Sequence, residues 1–336
     1  MFFKNETILD KKLNELRGEG SLSFNVLETM ATYKFKGETV FDKFQRDFTR
    51  EDTGKRLGTH SKSYQLITNK EFFSYLENQI ADIFDLDEIK DVKVNESISK
   101  GGAQCFKEYQ FPNVSINPKR SLRHIERDNP LVRNKNNISF RIIGKNTFDG
   151  SAKATVYVGD IDEYCSNGTI WGNFTTTEEK HIGKFNISNF GKAISESIKV
   201  FKISLKKEIE TYYDTPISRT DALIFLDTIA GGKRLSKDLA KSFEGEINFR
   251  GSNLWALKST LTHYGTHSKI HPRGASNVQF DDSLAHAASS RIGKQEKVRE
   301  WLTSETWTNL VERCQVKSGQ ILTLPRLHTP LNTPTC

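Results

Sequence analysis

The stretch REDTGKRLGTHSKSYQLITNKEFF, residues 50–73, alternates between turns and regular structure. Its Asp52-Thr53-Gly54 segment is typical of a turn, in which Gly54 can take a positive φ angle. An extended run follows over residues 57–66. Asn69 is a good N-cap, and the residues after it have apolar side chains at helical spacing. The sequence therefore predicts turn, strand, turn and helix in this order, with Gly54 and Gly58 at positions that tolerate a larger residue poorly.

Outward from this stretch, period-2 apolar patterns dominate the first half of the chain. The strand candidates are Ser23–Val26, Met30–Phe35, Ser63–Ile67, Lys90–Val94, Ala103–Phe111, Ile138–Ile143, Ala152–Val158 and Thr169–Phe174. The Asp149-Gly150 pair lies between two of these runs and is a strong hairpin signal.

The second half of the chain follows a helical period. Apolar side chains recur at helical spacing from Phe190 to Tyr212 and predict one long helix over 188–213, packed through Phe190, Ile194, Ile198, Phe201 and Leu205. Further helices are predicted over 5–17, 219–229, 236–243, 253–264 and 295–314. We therefore expect an α+β fold with antiparallel hairpins in its β-rich half. The expected divisions are an N-terminal helix at 1–20, a β-rich core at 21–186, a helical region at 187–323 and a flexible tail at 324–336.

Charge and cysteine content limit the class of protein. The formal net charge is +7 at neutral pH, and clustered cations favour a polyanionic partner. The four cysteines are far apart and form no C-x-x-C pair, so the sequence predicts neither a zinc ribbon nor a thioredoxin-like site. No apolar run of signal-peptide or membrane-spanning length occurs. The expected location is the reducing host cytoplasm, without contact to a membrane.

The densest group of cations lies between two predicted strands and is called here the basic segment, residues 117–136. It contains Lys119, Arg120, Arg123, Arg127, Arg133 and Lys135. Arginine forks bind phosphate oxygens, and each released counterion makes the affinity depend on salt. We expect the segment to lie exposed beside the 138–158 hairpin and to bind nucleic acid, with Lys145 and Lys153 enlarging the patch. The alternative is a solvated loop with local ion pairs.

Two further features can contribute to nucleic-acid binding. Aromatic side chains can stack on unpaired bases, and Trp171, before Gly172 and Asn173, is the first candidate among the strand aromatics. Strand aromatics are also common core residues. Lys199, Lys202 and Lys206 share one face of the long helix, which a solvated surface explains equally well.

Catalytic and metal-binding patterns are weak. His263, His267 and His271 have the i, i+4 spacing of helical metal ligands, but Gly265 and Pro272 interrupt the helix. Asp47, Asp52 and Glu71, or Asp149, Asp160 and Asp162, are carboxylates that can also serve as turn and capping residues. The segment 230–234 lacks the spacing of a phosphate-binding loop. The sequence predicts no catalytic residue, no bound metal and no cofactor.

Several blocks together resemble a family of phage- and plasmid-borne proteins of unknown function. The first block has the pattern D-x-G-x-x-L-G-x-x-x-x-x-Y-x-x-x-x-N-x-E-x-F, from Asp52 to Phe73. Ser97–Gly102 is similar to the family's glycine turn, and Phe148-Asp149-Gly150-Ser151 to its His-Asp-Gly-Ser turn, with Phe148 in place of the histidine. Tyr164–Gly168 resembles its Cys-x-Asn strand end, and 253–264 its late helix. The resemblance implies a mobile-element setting and no assigned reaction.

These observations favour a non-enzymatic phage protein of DNA metabolism that binds or anneals single strands, alone or as a homo-oligomer. A β-rich half with a long packing helix is also the general plan of ring-forming annealing proteins, an analogy at the level of fold. Two alternatives stay open: a metal-dependent nuclease-type enzyme, and a structural or host-interaction protein. The sequence leaves DNA or RNA, strand preference and oligomeric state undecided.

Overall fold

The computed structural model describes residues 7–17, 20–116, 137–151, 154–162, 167–175, 188–267 and 284–319. Its strands are β1 (Val26–Phe35), β2 (Glu38–Arg50), β3 (Arg56–Ser61), β4 (Lys93–Ser99), β5 (Gln104–Ile116), β6 (Ile138–Thr147), β7 (Thr155–Asp162) and β8 (Asn167–Thr175). The helices of the first half are α1 (Ile8–Glu15), α2 (Asn69–Ile83) and α3 (Leu86–Ile89). Those of the second half are α4 (Ser188–Val200), α5 (Lys206–Asp214), α6 (Arg219–Ala230), α7 (Lys233–Arg250), α8 (Leu254–His267), α9 (Leu284–Leu302) and α10 (Glu305–Lys317). The predicted α+β class is confirmed.

The strands form two antiparallel sheets in sequential order. The smaller sheet has the order β1-β2-β3 and the larger one β4-β5-β6-β7-β8. The Asp149-Gly150 turn joins β6 to β7 as its sequence predicts, with Gly150 at φ 69°. One apolar core contains side chains of both sheets and of the C-terminal helices, among them Phe48, Phe140 and Leu257. Among the described residues, no helix combines the length and apolar character needed to cross a membrane.

The strand predicted over 63–67 is wrong, and one strand of the structure was not predicted. Residues 63–67 form no strand, because β3 ends at Ser61 and the chain turns there toward α2. The long strand β2 was not predicted, although Lys36-Gly37 is a suitable hairpin turn, with both residues at positive φ. In the candidate over 23–26, only Val26 belongs to a strand.

The N-cap of α2 is Thr68, so the prediction that Asn69 caps this helix is wrong. Thr68 Oγ1 accepts a hydrogen bond from the Glu71 amide at 3.2 Å, and Glu71 Oε2 accepts one from the Thr68 amide at 2.8 Å. This reciprocal pair is a capping box. Asn69 is the first helical residue, is 2% exposed and points into the core. The helix thus begins one residue earlier than predicted and is capped by a different side chain.

The long helix over 188–213 is confirmed as one continuous helical run from Ser188 to Asp214. A π-helical turn at Phe201–Leu205 joins α4 to α5, and the backbone stays helical on both sides of it. Ile194, Ile198, Phe201 and Leu205 are buried in the core as predicted. The side chain of Phe190 lies outside the described ones. Because the π turn adds a residue to the helical repeat, it shifts the apolar stripe along the helix.

The structure has more C-terminal helices than the sequence predicted, and several of them are longer than predicted. The expected helix over 236–243 is the middle of α7. The single helix expected over 295–314 is wrong, because α9 ends at Leu302 and α10 begins at Glu305. Ser304 caps α10, its hydroxyl accepting the Trp307 amide hydrogen bond at 3.2 Å. The proposed tail at 324–336 lies outside the described residues.

Candidate functional site

The basic segment connects the end of β5 to the start of β6, at one end of the five-stranded sheet. Its cations Lys119, Arg120, Arg123, Arg127, Arg133 and Lys135 all lie outside the described residues, as does Lys153. Trp171 lies in β8 at a β-bulge, since Val158 pairs with Gly172 and Gly159 with Ile170. Its side chain is not among the described ones. These residues stay sequence-based candidates.

Lys145 lies far along β6 from the basic segment. Strands β6 and β7 pair as expected, but Lys145 is seven residues from Ile138, which is about 23 Å along a strand. Pairing therefore does not bring Lys145 to the end of the sheet where the basic segment begins. Its ammonium lies 5.8 Å from the Phe106 ring centroid. Burial lowers the pKa of Lys145, while the nearby Glu296 carboxylate acts in the opposite direction.

The opening block and the Asp-Gly-Ser turn, which are distant in sequence, meet in space. A Cβ atom on Gly58 would lie 2.2 Å from the carbonyl oxygen of Phe148, so the close approach requires glycine there. The His60 ring donates its Nε2 hydrogen to the same carbonyl at 2.7 Å. Further along, Asn146 Nδ2 donates to Asn69 Oδ1 at 3.0 Å. The prediction that Gly58 tolerates a larger residue poorly is supported by this contact, and Gly54 has the expected positive φ of 66°.

Asp149 organises the turn at this meeting point. Its Oδ2 accepts hydrogen bonds from Lys100 Nζ at 2.7 Å and from Gln104 Nε2 at 3.2 Å, while Oδ1 accepts the Ser151 amide at 3.0 Å. Burial alone raises the pKa of Asp149, but the hydrogen bonds from Lys100 and Ser151 outweigh it and hold the pKa below its ordinary value. A carboxylate held ionised by so many donors stabilises a turn and is poorly suited to donate a proton.

An imidazole is present at this turn although position 148 is Phe. The Phe148 side chain is buried, with its ring centroid 6.2 Å from that of Phe24. His60 stacks on Tyr64 with ring centroids 4.0 Å apart. Because a carbonyl oxygen can only accept, Nε2 of His60 carries the hydrogen in its contact with Phe148. Burial raises the pKa of Tyr64 to about 12, so its hydroxyl stays protonated at neutral pH.

A group of exposed large apolar side chains lies on the outer part of the β1–β2 hairpin. We call residues 30–44 the ribbon. Its large exposed side chains are Met30, Tyr33, Phe35, Phe41 and Phe44, of which Phe41 is 67% and Phe44 69% exposed. Strand β3 pairs with β2 only over residues 45–49, so the ribbon is two-stranded beyond that point. Two-stranded ribbons are marginal in water and rarely carry this much apolar surface without a partner.

The two faces of the ribbon differ in charge. Cross-strand partners share a face, and the pairs Thr32–Phe41 and Lys34–Thr39 define the first. Lys34 Nζ donates to Thr39 Oγ1 at 2.6 Å, which fixes the ammonium on this face. The second face is defined by the pairs Ala31–Asp42, Tyr33–Val40 and Phe35–Glu38. The first face therefore combines an aromatic ring with a cation, whereas the second combines aromatic rings with two carboxylates and, at the hairpin turn, with the Lys36 ammonium beside Phe35.

Lysines also lie close to two other ribbon aromatics, Phe35 and Phe44. Lys36 Nζ is 5.5 Å from the Phe35 ring centroid, and Lys43 Nζ is 5.1 Å from that of Phe44. Residues 43–45 form the irregularity where the register of β2 shifts against β1. Such bulges redirect side chains. Sequence reasoning missed this surface because β2 was not predicted, although Lys36-Gly37 was a usable turn signal.

Most of the candidate metal ligands from the sequence already have protein partners, and only two of the three candidate histidines are among the described residues. Asp47 pairs with Arg56 at 3.5 Å, Asp52 with Arg50 at 2.6 Å, and Glu71 belongs to the capping box. The rings of His263 and His267 are 4.9 Å apart, while His271 lies outside the described residues. Within the described ranges, no group of three His, Cys, Asp or Glu side chains is arranged to hold a metal ion.

Comparison of the chain with protein-family models, with curated proteins and with solved structures finds no significant match.

Proposed function

We propose that the protein binds single-stranded nucleic acid, with single-stranded DNA favoured, through the first face of the β1–β2 ribbon. The observation that carries this proposal is the exposed Phe41 ring on the same face as the Lys34 ammonium. A protruding ring offers a stacking surface to any unpaired base, and an adjacent ammonium offers a partner to the flanking phosphate. Double-stranded DNA has no free base face to offer such a ring.

Two features of the sequence support the same proposal. The basic segment adds six cations to one connection of the larger sheet, which suits a polyanion. The resemblance to phage- and plasmid-borne proteins suggests DNA metabolism of a mobile element, in the host cytoplasm. On this proposal the protein acts as a binding or annealing factor, alone or as a homo-oligomer, and carries out no chemical step on the nucleic acid.

The test is a fluorescence-anisotropy titration of a labelled oligothymidylate at two salt concentrations. Stacking on one ring contributes about 1–3 kcal/mol, so Phe41→Ala should weaken binding roughly 5- to 150-fold. Tyr33→Ala is the matched control: it removes an aromatic ring from the same ribbon, on the face that carries Glu38 and Asp42. Tyr33→Ala should therefore change the affinity less than Phe41→Ala does. A duplex of the same length should bind more weakly than the single strand.

The basic segment is tested in the same titration. Changing Arg120, Arg123 and Arg127 to alanine should weaken binding about equally for all sequences. The slope of log affinity against log salt should fall by up to about 0.7 for each phosphate contact that is lost. An unchanged affinity and slope would leave the segment as a solvated loop. An affinity that changes neither with salt nor on Phe41→Ala would instead favour a ribbon that contacts protein. Mg²⁺-dependent product formation would favour the nuclease alternative.

A further inference from the structure

A second candidate site is a pocket of about 920 Å³ beside the N-terminal part of α2. Its walls are Arg17, Gly20 and residues 22–25, the first turns of α2, and side chains of β4 and β5. Volumes of this order are typical of pockets that hold a small molecule. Three of its charged side chains, Glu77, Glu96 and Lys107, are almost fully buried.

These three side chains form a buried charge cluster with one carboxylate in excess. Lys107 Nζ lies 2.7 Å from Glu77 Oε1 and 3.0 Å from Glu96 Oε1. The exposed fractions of the side chains are 7% for Lys107, 11% for Glu77 and 6% for Glu96. Two carboxylates share one ammonium, so the formal charge of the cluster is −1. Buried charges are stable only when paired, which makes the excess charge a feature that needs a partner.

The free position of the cluster is one oxygen of Glu77. Both oxygens of Glu96 are used, since its Oε2 also accepts Ser21 Oγ at 3.0 Å and the Leu22 amide at 3.2 Å. Glu77 Oε1 accepts the Tyr109 hydroxyl at 3.0 Å as well as Lys107. Among the described residues no donor reaches Glu77 Oε2, and Glu77 lines the pocket. The pocket therefore presents one acceptor of a buried carboxylate.

We propose that this pocket binds a small zwitterion whose guanidinium or primary ammonium donates to Glu77 Oε2. The ligand's cation neutralises the floor of the pocket. Its anionic end lies toward the exposed cations Arg17 and Lys70 at the first turn of α2, where the Glu71 carboxylate, which also lines the pocket, is held by the Thr68 amide and hydroxyl. A helix N-terminus and two cations together favour a carboxylate there. A divalent metal fits less well, because Mg²⁺ and Ca²⁺ need several oxygen ligands and Lys107 holds the place between the carboxylates.

The experiment is isothermal titration calorimetry of the full chain with L-arginine and with L-citrulline. Citrulline has the same shape, but an uncharged ureido group replaces the guanidinium. A hydrogen bond between charged groups contributes about 1.5–3 kcal/mol, so citrulline should bind roughly 10- to 150-fold more weakly. This comparison needs no variant and therefore does not depend on how a substitution folds. Acetyl-arginine amide, which has no carboxylate, tests the anionic end and should bind more weakly than free arginine.

Variants of α2 locate the site. Glu77→Gln keeps the size of the side chain and leaves Lys107 paired with Glu96, and it should weaken arginine binding at least about tenfold. Asp82→Asn removes an exposed carboxylate from the same helix and should leave the affinity unchanged. Absence of saturable arginine binding, equal affinity for citrulline, or an unaltered affinity in a folded Glu77→Gln variant would overturn the proposal. If acetyl-arginine amide binds as tightly as free arginine, the ligand is not a zwitterion, and the cation that contacts Glu77 would instead belong to an arginine or lysine side chain of a polypeptide.

Discussion

Replacing Asn69 by alanine should destabilise the protein by more than the loss of a helix cap. The Asn69 amide is 2% exposed and bridges three parts of the fold. Its Nδ2 donates to the Leu22 carbonyl at 3.3 Å and to Cys105 Sγ at 3.3 Å, and its Oδ1 accepts from Asn146 at 3.0 Å. A buried hydrogen bond contributes about 1 kcal/mol net, and an orphaned buried partner costs about 1–3 kcal/mol.

The expected cost of Asn69→Ala is therefore about 2–4 kcal/mol in the free energy of unfolding. Thr68→Ala is the matched control, one residue away, because it removes the observed N-cap and should cost about 1 kcal/mol. Urea denaturation followed by circular dichroism measures both values. If Asn69→Ala costs no more than Thr68→Ala, the buried amide network does not stabilise the fold and the assignment of Asn69 to the core is refuted.

Three further predictions concern the stability of the fold. Gly58→Ala should destabilise the protein by at least about 2 kcal/mol, because its Cβ would meet the Phe148 carbonyl oxygen. Gly245→Ala is the control: it lies inside a helix with open space around it and should stabilise the protein by up to about 1 kcal/mol, as thermal unfolding can measure. Ile198→Asp, which buries an unpaired charge, should cost several kcal/mol, while Ile203→Asp, at a site that is 74% exposed, should cost little in the same assay. Because the pKa of Asp149 is depressed, its stabilising contribution is complete above its unfolded pKa of about 4 and is lost as the pH falls through the lower folded pKa. Acid-unfolding curves of the wild type and of Asp149→Asn should therefore converge at low pH. A stability difference that persists at low pH would contradict this explanation.

Local sequence chemistry was sufficient for much of the fold. The Asp149-Gly150 turn, the long helix after Ser188 and the positive φ of Gly54 could each be predicted from neighbouring residues alone. The N-cap of α2 was misassigned because Thr68 and Asn69 are both good caps in isolation. Tertiary contacts decide between them, since only Asn69 has buried partners to bridge.

The sites depended on information that the sequence does not contain. Lys145 appears near the basic segment in a linear pattern, but a strand of this length separates its two ends by about 23 Å. The excess charge of the pocket arises because Glu77 of α2, Glu96 of β4 and Lys107 of β5 meet in the fold. The spacing of these residues in the sequence does not predict this contact. The ribbon was hidden by the unpredicted β2, since a strand with both faces exposed has no clean alternation of apolar and polar residues.

The most direct test of the central claim is photo-crosslinking of the wild-type protein to an iodouridine-substituted single strand, followed by mass spectrometry of tryptic peptides. Phe41 lies in the tryptic peptide that runs from Gly37 to Lys43. If the ribbon binds unpaired bases, this peptide should carry the main crosslink, and an excess of unlabelled single strand should compete it away. Crosslinks confined to peptides outside residues 30–44, or no crosslink at concentrations where anisotropy shows binding, would contradict the claim that the ribbon binds nucleic acid.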